Sequence, residues 1–342
     1  MEEVTPIGTR KSDHIRINLE RDVQSGLTTG LEHYHFVHQA LPEINLDDVD
    51  TSISLFNKQV NTPILISSMT GGTNEADKIN QVLAEAAQAT GVAMGVGSQR
   101  IAIEIPEQAI SFQVRKIAPN ILLLANLGAI QLNYGYGIEE CQRAVDMIQA
   151  DALVLHFNAI QEALQQEGNT QFAGLVNKVE TVCRALPVPV IAKEVGWGFS
   201  QQDAALLAQA GVAAIDVAGA GGTSWSQVEM YRTEDEKRRK LAEAFLDWGI
   251  STTEAILNVL EAAPEVKIIA SGGLRNGVDI AKCIALGASM GGMASPFLKA
   301  ASISPEETIK FIGLLQEQLR VCMFATGSKT LNQLRQNKIV YK

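Results

Sequence analysis

Eight short apolar runs, spaced at about the length of a strand plus a helix, constrain the fold of this chain more than any other feature. They are PILISSMT (63–70), VAMGVGS (92–98), ILLLANLG (121–128), ALVLHFN (152–158), PVIAKEVG (189–196), AAIDVAG (213–219), KIIASGG (267–273) and SMGGMAS (289–295). Each ends in Gly, Ser, Thr or Asn, and most precede a longer amphipathic stretch such as 76–90 or 201–210, the latter followed by Gly211 where a C-cap belongs. The runs are continuously apolar rather than alternating, as parallel strands covered on both faces require. Their starts recur every 20 to 40 residues, apart from one long interval between 213 and 267. Eight such units predict an α/β fold, a (βα)8 TIM barrel. A doubly wound sheet would carry GxGxxG after its first strand, where this chain has Met69, Thr70, Gly71 and Gly72.

On this reading residues 1–60 are an N-terminal extension packed on the barrel, and 61–342 form the barrel with a C-terminal helical segment. A chain with 46% hydrophobic and 19% charged residues has ample material for a core and is not disordered. Its net charge of -10 argues against a general nucleic-acid surface or an anionic membrane as partner, so any anion must be held by local groups. The most apolar stretch, 121–130, is broken by Asn126 and is too short to span a bilayer, and residues 1–14 carry no apolar targeting core. Cys141, Cys183, Cys283 and Cys322 form no CxxC pair, which suits packed thiols in a reducing cytoplasm. The charge run RTEDEKRRK (232–240) reads as a solvated helix of mixed sign.

A βα barrel works at the carboxyl ends of its strands. There this chain collects Ser68, Met69 and Thr70; Ser98, Gln99 and Arg100; Asn126; His156, Asn158, Gln161 and Glu162; Lys193 and Glu194; Asp216 and Thr223; and Ala294 and Ser295. SGGLRNG (271–277) and GGMAS (291–295) combine glycines with small hydroxyl residues just before helix-like segments. Backbone N–H groups and helix dipoles there predict a cradle for a cofactor monophosphate at the last two strands. Lys193 is expected to turn its ammonium into the barrel mouth toward an anion such as a reduced flavin, because adjacent Glu194 points to the opposite face. His156 and Asn158 share a strand face, with Gln161 and Glu162 within one turn, so the four are expected to converge. Glu162 suits Mg²⁺, which takes one or two carboxylates alongside substrate phosphate oxygens and water. Arg100, and the Arg10-Lys11 pair if it comes near, would then clamp a second anion.

These segments resemble one family, the type 2 isopentenyl-diphosphate isomerases, which are FMN-dependent βα barrels. The likeness runs through RKSDHI (10–15), SSMTGGT (67–73), GVGSQR (95–100), ANLGA (125–129), HFNAIQE (156–162), AKEVGWG (192–198), DVAGAGGTSW (216–225), SGGLRNG (271–277) and GGMASPFL (291–298). The glycine motifs are shared with other flavin barrels, whereas the combination of RK, SQR and HxNxxQE is specific. Ala159 stands where a Pro is common in the family, which relaxes the local backbone and leaves the chemical groups in place.

The resemblance implies that Ser68, Met69, Thr70, Ser98, Asn126, Lys193, Thr223, Gly273, Leu274, Arg275, Ala294 and Ser295 bind FMN. It implies that Arg10, Lys11, Ser98, Gln99, Arg100, His156, Asn158 and Gln161 hold the isoprenoid diphosphate, that Glu162 carries Mg²⁺, and that the extension reaches the substrate. The implied reaction converts isopentenyl diphosphate to dimethylallyl diphosphate by a 1,3-proton shift. In it reduced FMN acts as acid and base, Lys193 stabilises the anionic flavin, Gln161 and His156 assist, and NADPH or another reductant reduces the flavin. A cytoplasmic homo-oligomer, a tetramer or octamer, is expected. Two alternatives remain at this level: an FMN oxidoreductase on the same barrel, although DVAGAGGTSW lacks the His-Arg pair of 2-hydroxy-acid dehydrogenases, and a non-catalytic flavin- or phosphate-binding barrel.

Overall fold

The computed structural model describes residues 6–336 and 339–342; residues 1–5 of the expected extension lie outside that description. The extension opens with the helix Pro6–Glu20. It continues through strand β1 (Tyr34–Phe36) and the hairpin β2 (Ile53–Leu55) and β3 (Lys58–Val60), whose two-residue turn places Phe56 and Asn57 at φ of 50° and 61°.

Eight parallel strands then close a barrel in chain order: β4 (Ile64–Ile66), β5 (Ala93–Gly95), β6 (Leu123–Gly128), β7 (Ala152–Phe157), β8 (Val190–Glu194), β9 (Ala214–Asp216), β10 (Lys267–Ser271) and β11 (Met290–Met293), with β11 pairing back onto β4. Each lies within one of the eight apolar runs. Alternation along the strands separates two buried layers. Leu65, Ala93, Leu122, Leu124, Val154, Ile191, Ala214, Ile269 and Met290 fill the interior, joined by Leu55 and Val60, so the β2–β3 hairpin closes the floor. Ile64, Ile66, Met94, Leu123, Leu153 and Ile268 face outward onto the helices.

Helix boundaries follow local chemistry. Thr73 accepts from Ala76 N to start Asn74–Thr90, and Gly91, at φ +72°, stops it. Ser200 and Asp203 form a capping box on Gln201–Gln209, and Gly211 follows at φ +88°. The charge run 232–240 is not one solvated helix: Arg232 ends the helix Trp225–Arg232, and only Glu236–Glu243 is the exposed charged helix. Arg232 differs because it pairs inward with buried Glu229.

The extension wraps the barrel mouth rather than trailing from it. Ser25 N donates to Gly222 O and Ser224 N to Val23 O, both at 2.7 Å, and Thr253 N donates to Thr29 O. The C-terminal segment ends not in a helix but in β12 (Ile339–Tyr341), antiparallel to β1 with Tyr34 opposite Tyr341. Among the described residues no helix is long and apolar enough to cross a membrane.

Candidate active site

A cavity of about 670 Å³ opens at the carboxyl ends of the strands. The ends of β4, β8, β10 and β11 supply Ser67, Ser68, Met69, Thr70, Lys193, residues 271–275 and residues 292–295, the loop after β9 supplies Ala218 and Thr223, and the Pro6–Glu20 helix contributes Lys11, His14 and Asn18. Glycine is required where these loops meet. Gly273 has φ +80°, and a Cβ there would stand 2.3 Å from Gly221 O.

The two expected phosphate-binding helix starts differ. Gly277–Ala285 is capped by its own chain: Asn276 accepts from Asp279 N, and Gly277 N donates to Gln318 Oε1. Ser295–Ala301 begins with no side-chain cap at Ala294, leaving its first turn toward the cavity side. Residues 271–275 and 292–295 both line the cavity, and Asn276 supplies the first of these helices with a cap that glycine-rich composition does not reveal.

Beside the cavity lies a polar network built on the loop after β7. Asn158 donates to Gln161 Oε1 at 3.1 Å and to Glu162 Oε1 at 2.9 Å; Gln165 Nε2 and Asn169 N donate to Glu162 Oε2 at 2.5 and 2.6 Å. Arg10 donates to Gln165 Oε1 at 3.4 Å. Gln161 reaches Glu229 Oε1 at 3.3 Å, where His14 Nε2 also stands, and Arg232 Nε donates to Glu229 Oε2 at 2.7 Å. Burial works against ionisation of Glu229, yet the His14 hydrogen bond and the cations around it hold the carboxyl down to about 2. Asn158 Oδ1 is buried without a partner, as is Ser67 Oγ in the cavity lining.

Arg10 and Lys11 both come near the site. Lys11 Nζ donates to Gly71 O at 2.6 Å and Ser98 O at 3.0 Å and lies over the Phe112 ring; burial, and secondarily Arg10, lowers its pKa to about 7. Arg100 opens the helix Arg100–Glu104, bonding Glu104 at 2.7 Å and Asn169 Oδ1 at 3.3 Å.

His156 pairs through Nδ1 with Asn126 Oδ1 at 2.8 Å, whereas Asn158 bonds Gln161 and Glu162, having left the strand to precede the next helix. Gln99 is fully buried, accepting from Asn126 N and donating to Ala144 O, so its side chain braces the barrel wall and does not face the mouth. The anion facing Lys193 is Asp216, at 2.8 Å, a neighbour on β9 that sequence spacing does not connect to it. Glu194 does point elsewhere, accepting from the N–H groups of Val195, Gly196 and Trp197.

Comparison with known proteins decides the family. Residues 137–341 match a family model described as FMN-dependent dehydrogenase. The chain is 53% identical over 328 residues to the isopentenyl-diphosphate delta-isomerase of Nostoc sp. (strain PCC 7120 / SAG 25.82 / UTEX 2576), covering 96% of this chain and 94% of that one. It is 49% identical over 330 residues to the enzyme of the same name from Rickettsia peacockii (strain Rustic), covering 96% of each. The chain belongs to the isopentenyl-diphosphate delta-isomerase family. A mandelate oxidase variant with a monooxide FMN adduct shares the fold, with a TM-score of 0.69 at 20% identity over 96% of this chain and 95% of that one.

For a member of this isomerase family, the cavity fits a flavin phosphate by its own features: the φ +80° glycine whose absent side chain leaves a backbone cradle, the uncapped Ser295–Ala301 start, and the orphaned Ser67 hydroxyl. A divalent ion has one buried carboxylate, Glu162, beside the orphaned Asn158 Oδ1. No cluster of three acidic, His or Cys ligands occurs among the described residues, so the donor set suits an ion completed by substrate oxygens and water. Sequence reading passed over His14, Glu229 and Arg232. Glu229 lies on a helix rather than at a strand end, and its only signal is the i,i+3 spacing to Arg232.

Proposed function

We propose that this protein isomerises isopentenyl diphosphate to dimethylallyl diphosphate, a 1,3-proton shift without net redox change, with FMN in the barrel mouth. The observation that carries the reading is the way one helix joins two chemistries. Along Pro6–Glu20, Lys11 and His14 line the cavity, while Arg10 meets Gln165 and His14 meets Glu229 in the adjoining network. A cavity of about 670 Å³ and a set of cationic and polar groups suited to a diphosphate are thereby held side by side.

Ser68, Met69, Thr70, Ser98, Asn126, Lys193, Thr223, residues 273–275, Ala294 and Ser295 would hold FMN. Reduced FMN, when bound, supplies a ring nitrogen that can give and accept a proton. Arg10, Lys11, Arg100 and Asn158 grip the diphosphate, Glu162 carries Mg²⁺ against it, and remote binding energy positions the alkene. His156 is kept neutral by burial and by Lys193, with its pKa near 4, so it donates or accepts a hydrogen bond without adding charge. Gln161, between Asn158 and Glu229, orients the hydrocarbon end. The Pro6–Glu20 helix over the mouth excludes water from a cationic transition state. NADPH or another reductant keeps the flavin reduced, and we assign the enzyme to the cytoplasm as a tetramer or octamer.

The test is turnover. Purified protein with FMN, Mg²⁺ and a reductant should convert isopentenyl diphosphate without consuming reductant stoichiometrically, and oxidised FMN alone should support almost none. Equal activity after flavin removal refutes the reading.

A further inference from the structure

We propose that Asp216 is a positioning residue that sets how much positive charge Lys193 presents to the cavity, and so tunes the reduction potential of a flavin bound there. This inference rests on the FMN reading above and extends it to a residue outside the binding set.

The geometry is that of a closed triad across three strands. Lys193, on β8, stands in register with Asp216 on β9, and Asp216 is in register with Ile269 on β10. Lys193 Nζ lies 2.8 Å from Asp216 Oδ2 and donates to Ser271 Oγ at 3.3 Å; Ser271 Oγ donates to Asp216 Oδ1 at 2.5 Å. Both carboxylate oxygens are thus engaged, and the side chains of Lys193 and Asp216 are only 10% and 2% exposed. Lys193 and Ser271 line the cavity, whereas Asp216 does not, so its charge reaches a ligand through the ammonium it faces.

Stability alone accounts poorly for such a pair. A buried ion pair repays its desolvation only in part, and well-packed apolar residues of similar volume serve a core as well or better. Because both side chains are buried, each charge acts with little screening. Oxidised flavin is neutral and its reduced anion carries a negative charge, so an unopposed ammonium favours the reduced form. Asp216 opposes that preference while holding the ammonium in place.

The experiment is a redox titration of the holoprotein. Asp216→Asn should raise the preference for reduced over oxidised flavin by about tenfold or more, a midpoint rise of at least roughly 30 mV for a two-electron couple. Lys193→Gln should shift it the opposite way, and Lys193→Gln combined with Asp216→Asn should return it toward the wild-type value. The double variant leaves no unpaired buried charge, and in Lys193→Gln the Asp216 carboxylate keeps the Ser271 hydroxyl as a donor, so this comparison stands even if Asp216→Asn alone does not fold. A midpoint unchanged by Asp216→Asn, or identical in Lys193→Gln and the double variant, overturns the inference. Wild-type protein that takes up no flavin in either redox state overturns the cofactor reading itself, and this inference with it.

Discussion

His14 Nε2 stands 3.1 Å from Glu229 Oε1, so the helix Pro6–Glu20 of the extension is fastened to the helix Trp225–Arg232 by a carboxylate that Gln161 and Arg232 also approach. The His14 ring meets Trp225 edge-on at 5.0 Å, and Ile17 and Val23 pack with Val228. The closure of the mouth is therefore part apolar contact and part buried charge. Glu229→Ala should cost about 3 kcal/mol, since it strips Arg232 of its inner partner. Urea unfolding measures this, and an unchanged midpoint would contradict the account.

Lys11 should give the enzyme an alkaline limb. Its folded-state pKa near 7 means that the cation proposed to grip the diphosphate exists below that pH and disappears above it. We expect kcat/KM for isopentenyl diphosphate to fall by about tenfold per pH unit above the transition, as free-enzyme ionisations do. Lys11→Arg should flatten the limb, because guanidinium stays charged. A wild-type profile that is level from pH 7 to about 9 rules this out.

Acid should destabilise the fold through its buried histidines. Burial is the main cause of the lowered pKa at both His14 and His156, and His156 falls from its ordinary 6.5 to about 4. Between those values the unfolded chain binds the proton and the folded chain does not. Stability is accordingly complete above about 6.5 and declines as pH drops toward 4, by up to roughly 3 kcal/mol for His156. Urea midpoints at pH 7 and 5 should differ in wild type and differ less in His156→Gln. An equal difference in the two proteins excludes His156 as a source.

Gly273→Ala should damage the cradle and the fold together. Its φ is +80°, and a Cβ built there would stand 2.3 Å from Gly221 O, which leaves no space for a methyl group. Backbone strain alone is worth about 1–3 kcal/mol. Thermal unfolding should shift down, and flavin fluorescence should report release of FMN at concentrations where wild type retains it; retention equal to wild type refutes the role.

Glu162→Gln should raise the Mg²⁺ concentration for half-maximal activity by about 10–100-fold, the scale seen when groups supporting a metal are lost. The amide keeps a hydrogen-bond acceptor for Asn158 or Asn169, so the fold should survive. An unchanged Mg²⁺ requirement removes Glu162 from the metal's ligands.

Whatever depends on local periodicity is legible in the sequence. All eight barrel strands fall inside continuous apolar runs, and Thr73, Gly91, Ser200 and Gly211 mark helix ends by their own side chains or conformational freedom. The segment 156–162 placed Asn158, Gln161 and Glu162 together because they lie within one helical turn of each other. The same reasoning did not pair His156 with Asn126, which lies on the neighbouring strand β6.

The sequence by itself determined the barrel, the mouth as the working face and most of the polar groups around it, because strand period, turn chemistry and capping are short-range effects. Only the tertiary structure decided the partners: Asp216 as the counter-charge of Lys193, Ala144 rather than substrate for Gln99, and Glu229 and His14 as the bolt between extension and barrel. Those pairings join residues 23, 45 and 215 positions apart, and they depend on how far each strand and helix carries its side chain through space, which no local pattern records.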